Sequence, residues 1–248
     1  MGAYPSVPLS MGCPERGGSL GTPVPMTGVV LQARLGSTRL PRKALLPFGE
    51  GTILDSCLRR LARVPADIFI LATEPKSAPE LGPRAKALGW KVFIGSEEDV
   101  LSRYCGAIRE FGLSWVIRAT GDNPLVSPEA AKALLSDFRT DASDYAACLG
   151  LPLGFGVEVI RASALLAADA EARDPYEREH VCPFIYRRPE RFTIFRPEAP
   201  GFLRAPEARV TVDTREDYEA VRSAADECGF DPPSADLVRW FSGSGGKD

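Results

Sequence analysis

The chain has 248 residues, 44% of them hydrophobic, and its 30 basic and 33 acidic side chains leave a formal net charge of −3. A chain of this length can bury one sizeable core, and a single α/β domain is common at this size. The charge balance excludes a globally basic nucleic-acid-binding protein, so an anionic ligand must be bound by a local cluster of basic residues. No apolar run approaches the roughly 18 residues that a membrane-spanning helix needs.

The two ends of the chain differ in composition from the rest. Residues 1–26 are rich in proline, glycine and serine and lack apolar periodicity, which predicts a flexible N-terminal tail without the pattern of a secretory signal. Residues 243–248 are predicted to form a flexible C-terminal tail from their composition. We therefore expect one folded domain over residues 27–242.

Apolar runs in that domain predict the strands. They lie at 28–32, 67–72, 91–94, 115–119, 156–160, 192–195 and 209–212. Amphipathic segments separate them, and this alternation predicts an α/β fold with a mostly parallel sheet and helices on both faces. The irregular spacing of the later strands indicates a mixed sheet.

Capping residues mark the predicted helices. Thr52 begins one helix, while Ser127 and Asp174 each precede a proline at a first helical position. Two further pairs have the spacing of a capping box, Ser77 with Glu80 and Ser96 with Asp99. Helices are expected to stop at Gly89, Gly112 and Gly229.

The cysteine pattern favours a reducing compartment. The six cysteines are far apart and form no CxxC pair, which predicts reduced thiols in a cytoplasmic protein rather than a disulfide or zinc framework. Cys57 and Cys105 fall on apolar stripes of predicted helices and are expected to be buried. Because His180 is the only histidine in the sequence, a metal centre built from several imidazoles is excluded.

Positive charge is concentrated in residues 31–43, LQARLGSTRLPRK, where the first strand ends. The cationic residues there are Arg34, Arg39, Arg42 and Lys43. Ligands of open α/β sheets bind beyond the carboxyl ends of the strands, and Gly36 allows backbone amides to approach phosphate oxygens. The loop therefore suits a triphosphate; the alternative is a solvated basic loop with a turn at Pro41. It matches neither GxxxxGK[ST] nor GxGxxG, which argues against a P-loop NTPase and a dinucleotide-dependent dehydrogenase.

Two aspartates follow later predicted strands. Asp122, in RATGDNPLVSP, is either a turn residue or a ligand of Mg²⁺, which proteins bind through one or two carboxylates plus substrate phosphates. Asp213, in RVTVDTRED, either assists the cap of the next helix or joins the same site. Together with the basic loop, the pair predicts a metal–phosphate site.

The segments QARLGSTRLPRK, SEEDVLSRY, RATGDNPL, VEVI, EREHVCPFI and VTVDTREDY together resemble the cytidylyltransferases related to spore coat polysaccharide biosynthesis protein F. They are similar, more distantly, to the CMP-KDO and CMP-sialic acid synthetases. The match runs in order from about Val29 to about Tyr218. It implies a Rossmann-like nucleotide-diphospho-sugar transferase fold, a three-layer α/β/α sandwich, with residues 27–242 as the nucleotidyltransferase domain. It also implies Mg²⁺-dependent transfer of CMP from CTP to an acceptor, with release of pyrophosphate.

The same matching implies the nucleotide site. The triphosphate would be held by Arg34, Gly36, Ser37, Arg39 and Lys43, with Gln32 and Ala33 beside the base. Asp122 and Asp213 would hold Mg²⁺, and Arg118 would lie beside the nucleotide. Asp122 would then serve catalysis through the metal, while Lys43 and Arg39 stabilise the departing pyrophosphate. The chain departs from the family pattern LPGK at Arg42, where a glycine is usual, which puts the approach of Lys43 in question.

The candidates for contacting the acceptor are Asp99, Arg103, Glu158, Arg178 and His180. Glu158 lies opposite apolar neighbours on a predicted strand, so its side chain is expected to leave the core and either contact the acceptor or face water. His180 lies on a predicted helix and either serves the site or is a packed or surface residue. Asp99 and Arg103 come from a segment that would also suit a plain helix N-terminus.

The acceptor is left open as a sugar, a sugar acid or a small phosphorylated metabolite, in keeping with the synthesis of cell-surface glycan precursors. One alternative is an enzyme that uses another nucleoside triphosphate on a sugar phosphate. Another is a non-catalytic sugar-nucleotide-binding protein on the same fold. The likeness to the synthetases also implies a homodimer, with neither nucleic acid nor a membrane as partner.

Overall fold

The computed structural model describes residues 25–140 and 143–244. Its strands are β1 (Thr27–Gln32), β2 (Pro47–Phe48), β3 (Gly51–Thr52), β4 (Ile68–Thr73), β5 (Lys91–Ile94), β6 (Trp115–Thr120), β7 (Tyr145–Ala147), β8 (Glu158–Arg161) and β9 (Ile194–Phe195). Its α-helices are α1 (Ile53–Leu61), α2 (Ala78–Ala87), α3 (Val100–Phe111), α4 (Pro128–Thr140), α5 (Ala162–Glu171), α6 (Pro175–His180), α7 (Pro183–Tyr186), α8 (Arg215–Cys228) and α9 (Ser234–Ser244). None of these helices is long and apolar enough to cross a membrane. Residues 1–24 and 245–248 of the predicted tails lie outside the described residues.

One mixed sheet organises the described part of the chain, with its strands in the order β5-β4-β1-β6-β8-β7-β9. The strands β5, β4, β1 and β6 run parallel. Beyond them, β8 is antiparallel to both β6 and β7, and β9 is parallel to β7. The predicted mixed, mostly parallel sheet is confirmed, and β1 and β6 end side by side at its centre.

Alternate residues of the central strands face two separate cores. Val29 and Leu31 of β1 and Ile117 of β6 pack with α1, α4 and α8, whereas Val30 and Val116 pack with α3 and α5. Because both faces of the sheet are covered, its strands are continuously apolar instead of alternating with polar residues. The predicted α/β/α sandwich is confirmed.

Cysteines contribute to both cores. Cys57 and Cys105 are fully buried, as predicted. Each cysteine in the part of the chain that the structure describes is a free thiol.

The last predicted strand is wrong. Residues 209–212 form an extended segment in which Arg209 makes an isolated bridge to Leu153. The Val210 amide donates to the Leu153 carbonyl at 2.8 Å, and the Val212 amide donates to the Asp122 carbonyl at 2.8 Å. The partners are loop residues rather than another strand, so the segment stays outside the sheet. The hydrogen bond from Val212 to Asp122 nevertheless holds the end of this segment beside the loop that follows β6.

The capping predictions divide into two groups. Thr52, Ser127 and Asp174 each accept a backbone N–H of their helix, as predicted. Ser77 precedes α2 but makes no cap: its hydroxyl donates to Glu74 and accepts the Leu35 amide at 2.8 Å. In the other predicted pair, Ser96 with Asp99, the residue that caps α3 is Asp99, which accepts the Ser102 amide at 2.9 Å. Helices end next to Gly89, Gly112 and Gly229, which all have positive φ.

We predict that Ser77→Ala lowers the free energy of unfolding by about 1–3 kcal/mol, because it leaves the buried Glu74 carboxylate and the Leu35 N–H without their shared partner. The measurement is urea denaturation followed by circular dichroism. Ser96→Ala is the matched control, since the exposed Ser96 hydroxyl accepts one amide at 3.1 Å. Equal losses in the two variants would contradict the role assigned to Ser77.

Candidate functional site

A cavity of about 390 Å³ lies at the carboxyl ends of β1 and β6. The basic loop after β1, the loop after β6, the end of α6 and the extended segment before α8 form its walls. The sequence-predicted residues that line it are Gln32, Ala33, Arg34, Gly36, Ser37, Arg39, Lys43, Arg118, Asp122, His180 and Asp213. Every residue predicted to contact the nucleotide or the metal therefore lies in one cavity.

Lys43 lies at the centre of the charged groups. Its Nζ donates to Asp122 Oδ2 at 2.7 Å, to Asp213 Oδ1 at 2.9 Å and to the Val212 carbonyl at 2.9 Å. The lysine side chain is only 15% exposed. Two carboxylates from distant parts of the sequence thus converge on a single positive charge.

Asp122 is positioned by the turn that follows β6. Thr120 donates to Asp122 Oδ1 at 2.6 Å, and Asn123 donates to the Thr120 hydroxyl at 2.9 Å. The Gly121 amide donates to the Gln32 carbonyl at 2.7 Å, and a Cβ at position 121 would come within 2.7 Å of the Ala33 Cβ. Glycine is needed there because the two loops approach so closely. Asp122 is therefore a turn residue whose carboxylate also lines the cavity, and its role as a ligand of Mg²⁺ stays a prediction.

Asp213 is positioned by the start of α8. Asp217, in a capping box with Thr214, accepts the amide of Asp213 at 2.9 Å. Burial would raise the pKa of Asp213, but the hydrogen bond from Lys43 and the charges of Lys43, Arg39 and Arg209 hold it below its ordinary value. The carboxylate is therefore ionised at neutral pH and available to a cation.

Arg42 adopts the conformation that the family glycine would favour. Its φ of 57° and ψ of 27° lie in the left-handed region, which is strained for a residue with a Cβ. The guanidinium leaves the cavity and binds both carboxylate oxygens of Glu80 on α2. The turn before Lys43 is thus retained, and Lys43 still reaches the aspartates.

Two other arginines leave part of their guanidinium groups available. Arg34 is 40% exposed and pairs with Glu179 at 3.3 Å, and Arg39 is 66% exposed and pairs with Asp213 at 3.3 Å. Both residues line the cavity. They can pair with an anion that enters the cavity, since exposed ion pairs contribute little stability of their own.

Glu158 does not line the first cavity. Its side chain is 21% exposed, forms an ion pair with Arg118 and accepts the Tyr145 hydroxyl at 2.6 Å, and its contact with the acceptor stays a prediction. Burial would lower the pKa of Arg118, but the Glu158 charge raises it, so the guanidinium stays positive. A second cavity, of about 290 Å³, lies on the Glu158 side and shares Arg118 and Thr120 with the first. Arg118 therefore lines both cavities, and its partner Glu158 lines the second.

The remaining acceptor candidates lie elsewhere, except for His180, whose exposed ring lines the first cavity. Arg178 donates to Asp99 at 2.6 Å and to Asp169 at 2.8 Å, which ties α6 to α3 and α5. Arg103 is 1% exposed and donates to the Ser96 carbonyl at 2.6 Å. The structure does not bring Asp99, Arg103 or Arg178 to either cavity, and their contacts hold the helices together.

Three residues of the two cavities were missed by the sequence prediction of the site. Thr120 orients Asp122, Glu179 pairs with Arg34, and Asn123 lines the second cavity. All three lie inside the segments RATGDNPL and EREHVCPFI, so the motifs pointed to the right neighbourhood. Which side chain faces the cavity depends on the turn geometry, which the motif does not specify.

The carboxylates suit a hard divalent cation completed by its substrate. Among the described residues no group of three or more histidine, cysteine, aspartate or glutamate side chains forms a metal site. Mg²⁺ binds through one or two carboxylates plus phosphate oxygens and water. Asp122 and Asp213, already gathered around one ammonium group, match that requirement.

Comparison with known proteins shows which family the chain belongs to. A family model described as cytidylyltransferase matches residues 29–228. The chain is 36% identical over 210 residues to spore coat polysaccharide biosynthesis protein SpsF of Bacillus subtilis (strain 168). The alignment covers 82% of this chain and 88% of that protein. The resemblance seen in the sequence motifs is confirmed.

Solved structures agree with this result. A cytidylyltransferase from Leptospira borgpetersenii serovar Hardjo-bovis superposes with a TM-score of 0.82 at 30% identity, covering 89% of this chain and 95% of that one. A CMP:2-keto-3-deoxy-manno-octonic acid synthetase complexed with CTP shares the fold, with a TM-score of 0.66 at 17% identity, covering 82% of this chain and 99% of that one.

We predict that Arg42→Gly unfolds at a temperature equal to or higher than that of the wild type, because glycine adopts positive φ without strain. Arg42→Ala is the matched control: it loses the same contact with Glu80 and keeps the strain, so it should unfold at a lower temperature than Arg42→Gly. Differential scanning calorimetry measures both. An Arg42→Gly variant less stable than Arg42→Ala would show that the left-handed conformation is not the one this loop adopts.

Proposed function

Because the chain belongs to the cytidylyltransferase family, we propose that it transfers CMP from CTP to a sugar, a sugar acid or a small phosphorylated metabolite. Pyrophosphate is released, and Mg²⁺ is the cofactor. The observation that carries the proposal is the convergence of Asp122 and Asp213 on one cation beside a basic loop. That arrangement offers carboxylates to a metal and cationic groups to a triphosphate within one cavity.

The residues of the basic loop are proposed to bind and orient the triphosphate. Arg34, Arg39 and Lys43 neutralise its charge, and the open space at Gly36 lets the backbone approach it, since an added Cβ there meets nothing within 4 Å. An acceptor oxygen attacks the α-phosphorus, the bond to the β-phosphate oxygen breaks, and pyrophosphate leaves. Such chemistry needs positioning and charge stabilisation more than a protein nucleophile.

Asp122 and Asp213 are proposed to hold the metal. When bound, Mg²⁺ supplies charge stabilisation to the phosphate oxygens. Lys43 now occupies the point at which the two carboxylates meet, so it must give up at least one of them to such a cation. Its ammonium group is then free to pair with the triphosphate. Lys43 would thereby keep the aspartates together before substrate arrives and neutralise phosphate afterwards.

Gln32 is proposed to recognise the base. Its Oε1 is buried and accepts no hydrogen bond within the residues that the structure describes, although the side chain lines the cavity. A buried acceptor without a partner is unfavourable, and the amino group of cytosine would satisfy it. Uracil presents a carbonyl at the same position, which gives a physical reason for CTP over UTP.

The second cavity is proposed to receive the acceptor. It adjoins the nucleotide cavity at Arg118, and Asn123 Oδ1 is buried there without a hydrogen-bond partner among the described residues. A hydroxyl-bearing acceptor would satisfy Asn123, and a carboxylate or phosphate would face Arg118. His180 remains a proposed contact from the first cavity.

By the name of its relative SpsF, the product would serve cell-surface polysaccharide synthesis, in the cytoplasm where CTP is available.

The nucleotide proposal is tested by thermal unfolding with CTP, UTP, GTP and ATP, each with and without Mg²⁺. A ligand at 100 times its dissociation constant stabilises the native state by about 2.7 kcal/mol, so CTP with Mg²⁺ should raise the unfolding temperature most. Asp122→Asn should lose the Mg²⁺-dependent part, and pyrophosphate release with a panel of acceptors should fall about 100-fold or more. Asp236→Asn, on α9, is the matched control and should behave as the wild type.

Other outcomes of that experiment separate the alternatives. A larger shift with another nucleoside triphosphate would replace the proposed donor. Binding of CTP without pyrophosphate release on any acceptor would favour a sugar-nucleotide-binding protein. Near-normal turnover in Asp122→Asn would contradict the metal assignment.

A homodimer is proposed from the apolar surface near the second cavity. Leu149, Leu153 and Phe202 are 43%, 56% and 59% exposed, and Leu153 lines the second cavity. Contact between two copies of the chain would bury such exposed apolar side chains. We predict a dimer by light scattering at micromolar concentration and dissociation in Leu153→Glu. The exposed Leu88, on the opposite edge of the sheet beside β5, provides the control Leu88→Glu. A monomeric wild type would contradict the proposal.

A further inference from the structure

A third cavity, of about 610 Å³, lies away from the candidate nucleotide site. The β2–β3 hairpin, α1, α8 and the segment after α8 form its walls, and it shares no lining residue with the nucleotide cavity. Its volume is within the range of small-molecule sites, about 300–1,000 Å³. The proposed reaction leaves this cavity without a role.

Aromatic rings form its apolar side. Phe48 is buried, and the Phe230 ring packs edge-on against it, with centroids 5.0 Å apart. Gly49 between the hairpin strands has φ of 58°, and a Cβ there would come within 2.9 Å of the Phe230 ring. The close approach of the hairpin to the ring therefore requires glycine, and it leaves a ring face beside the cavity.

Guanidinium groups form its polar side. Arg60 is 1% exposed; its Nε donates to the Val126 carbonyl at 2.7 Å and its Nη1 donates to Asp231 at 2.8 Å. Its Nη2 is buried and has no hydrogen-bond partner among the described residues. Arg59 makes no ion pair within the same residues, and Arg222 meets Asp226 only at 4.0 Å. Arg59 and Arg222 therefore offer exposed donors beside the buried and incompletely paired guanidinium of Arg60.

Three acidic residues, Glu50, Asp226 and Asp231, also line the cavity, and their ion pairs differ. Asp231 is neutralised by both Arg60 and Arg63, and Asp226 faces Arg222. Glu50, at the exposed end of the hairpin, makes no ion pair in the part of the chain that the structure describes. A ligand that carries an amino group in addition to its anionic group would satisfy it.

We propose that this cavity is a second ligand site, which binds a small organic anion with a planar ring. The ring lies against Phe230, which packs on the buried Phe48, and the phosphate or carboxylate pairs with Arg59 and Arg222 beside the buried charge of Arg60. A nucleotide with an amino-substituted base and an aromatic acid share this chemistry.

The wall of the cavity is bonded to the loop that carries Asp122. Ser56 donates to the Pro124 carbonyl at 2.6 Å, and Arg60 donates to the Val126 carbonyl. A ligand held beside the buried Ser56 and Arg60 therefore restrains, through these hydrogen bonds, the residues that follow Asp122. Any effect on turnover rests on the proposed function, whereas binding and the restraint of the loop do not.

Binding is tested by calorimetric titration with phenyl phosphate, which combines a ring with a phosphate. Arg59→Ala and Arg222→Ala should each weaken it about tenfold, the loss of about 1.4 kcal/mol of pairing. Arg215→Ala is the matched control, because Arg215 is exposed on the same helix as Arg222 and also pairs four residues ahead, with Glu219. The same titration in Lys43→Ala separates binding of the phosphate by the basic loop from binding by the third cavity, and the third-cavity binding should persist there.

The opposite pattern would overturn the proposal. Loss of binding in Lys43→Ala with none in Arg59→Ala would place the probe in the nucleotide cavity, and absence of binding at millimolar probe would remove the site. Inorganic phosphate should bind more weakly than phenyl phosphate; equal affinity would contradict the role of the rings. Titration with cytidine monophosphate and with benzoate in Lys43→Ala then distinguishes a nucleotide from an aromatic acid as the ligand.

The link to the loop is tested by amide hydrogen exchange. Saturation with phenyl phosphate should slow exchange in residues 122–126 of the wild type, and Ser56→Ala should bind the probe but lose this protection. Unchanged exchange in the saturated wild type would contradict the link. Because neither readout involves CTP turnover, failure here is distinguishable from failure of the proposed function.

Discussion

The two carboxylates of Asp122 and Asp213 cannot lie side by side without a cation between them. They are neighbours in a half-buried cavity, where like unit charges about 4 Å apart repel by roughly 4 kcal/mol. The Lys43 ammonium supplies the cation, with Nζ–Oδ distances of 2.7 and 2.9 Å. Lysine suits this position because its ammonium is a compact charge on a flexible stem that can move to another anion. Under the proposed function, a divalent metal ion would take the place of the ammonium group between the two carboxylates.

The architecture brings these residues together from three parts of the sequence. Parallel pairing of β1 with β6 aligns Gln32 with Thr120, so the loops after both strands begin at the same edge of the sheet. The segment before α8 joins them through the hydrogen bond between Val212 and Asp122. Ser77, itself bonded to the buried Glu74, accepts the Leu35 amide and so anchors the basic loop. The site therefore depends on the packing of its supporting helices as much as on its charged residues.

Features with a strong local signal were predicted correctly from the sequence. The central strands are continuously apolar because both faces are buried, and Thr52 caps its helix through a local hydrogen bond. Features set by distant contacts were missed: β7 is three residues long, too short for a periodic pattern, and Ser77 is diverted from its cap by a loop 42 residues away. The same distinction applies to the site, where the motifs located Asp122 and Lys43 but could not show that Glu158 binds Arg118.

A crystal structure with CTP and Mn²⁺, whose anomalous scattering identifies the metal, tests the metal site most directly. We expect an anomalous peak within coordination distance of both Asp122 and Asp213, with Lys43 Nζ moved from at least one carboxylate to a phosphate oxygen. A metal bound elsewhere while Lys43 still bridges the two aspartates would contradict this expectation.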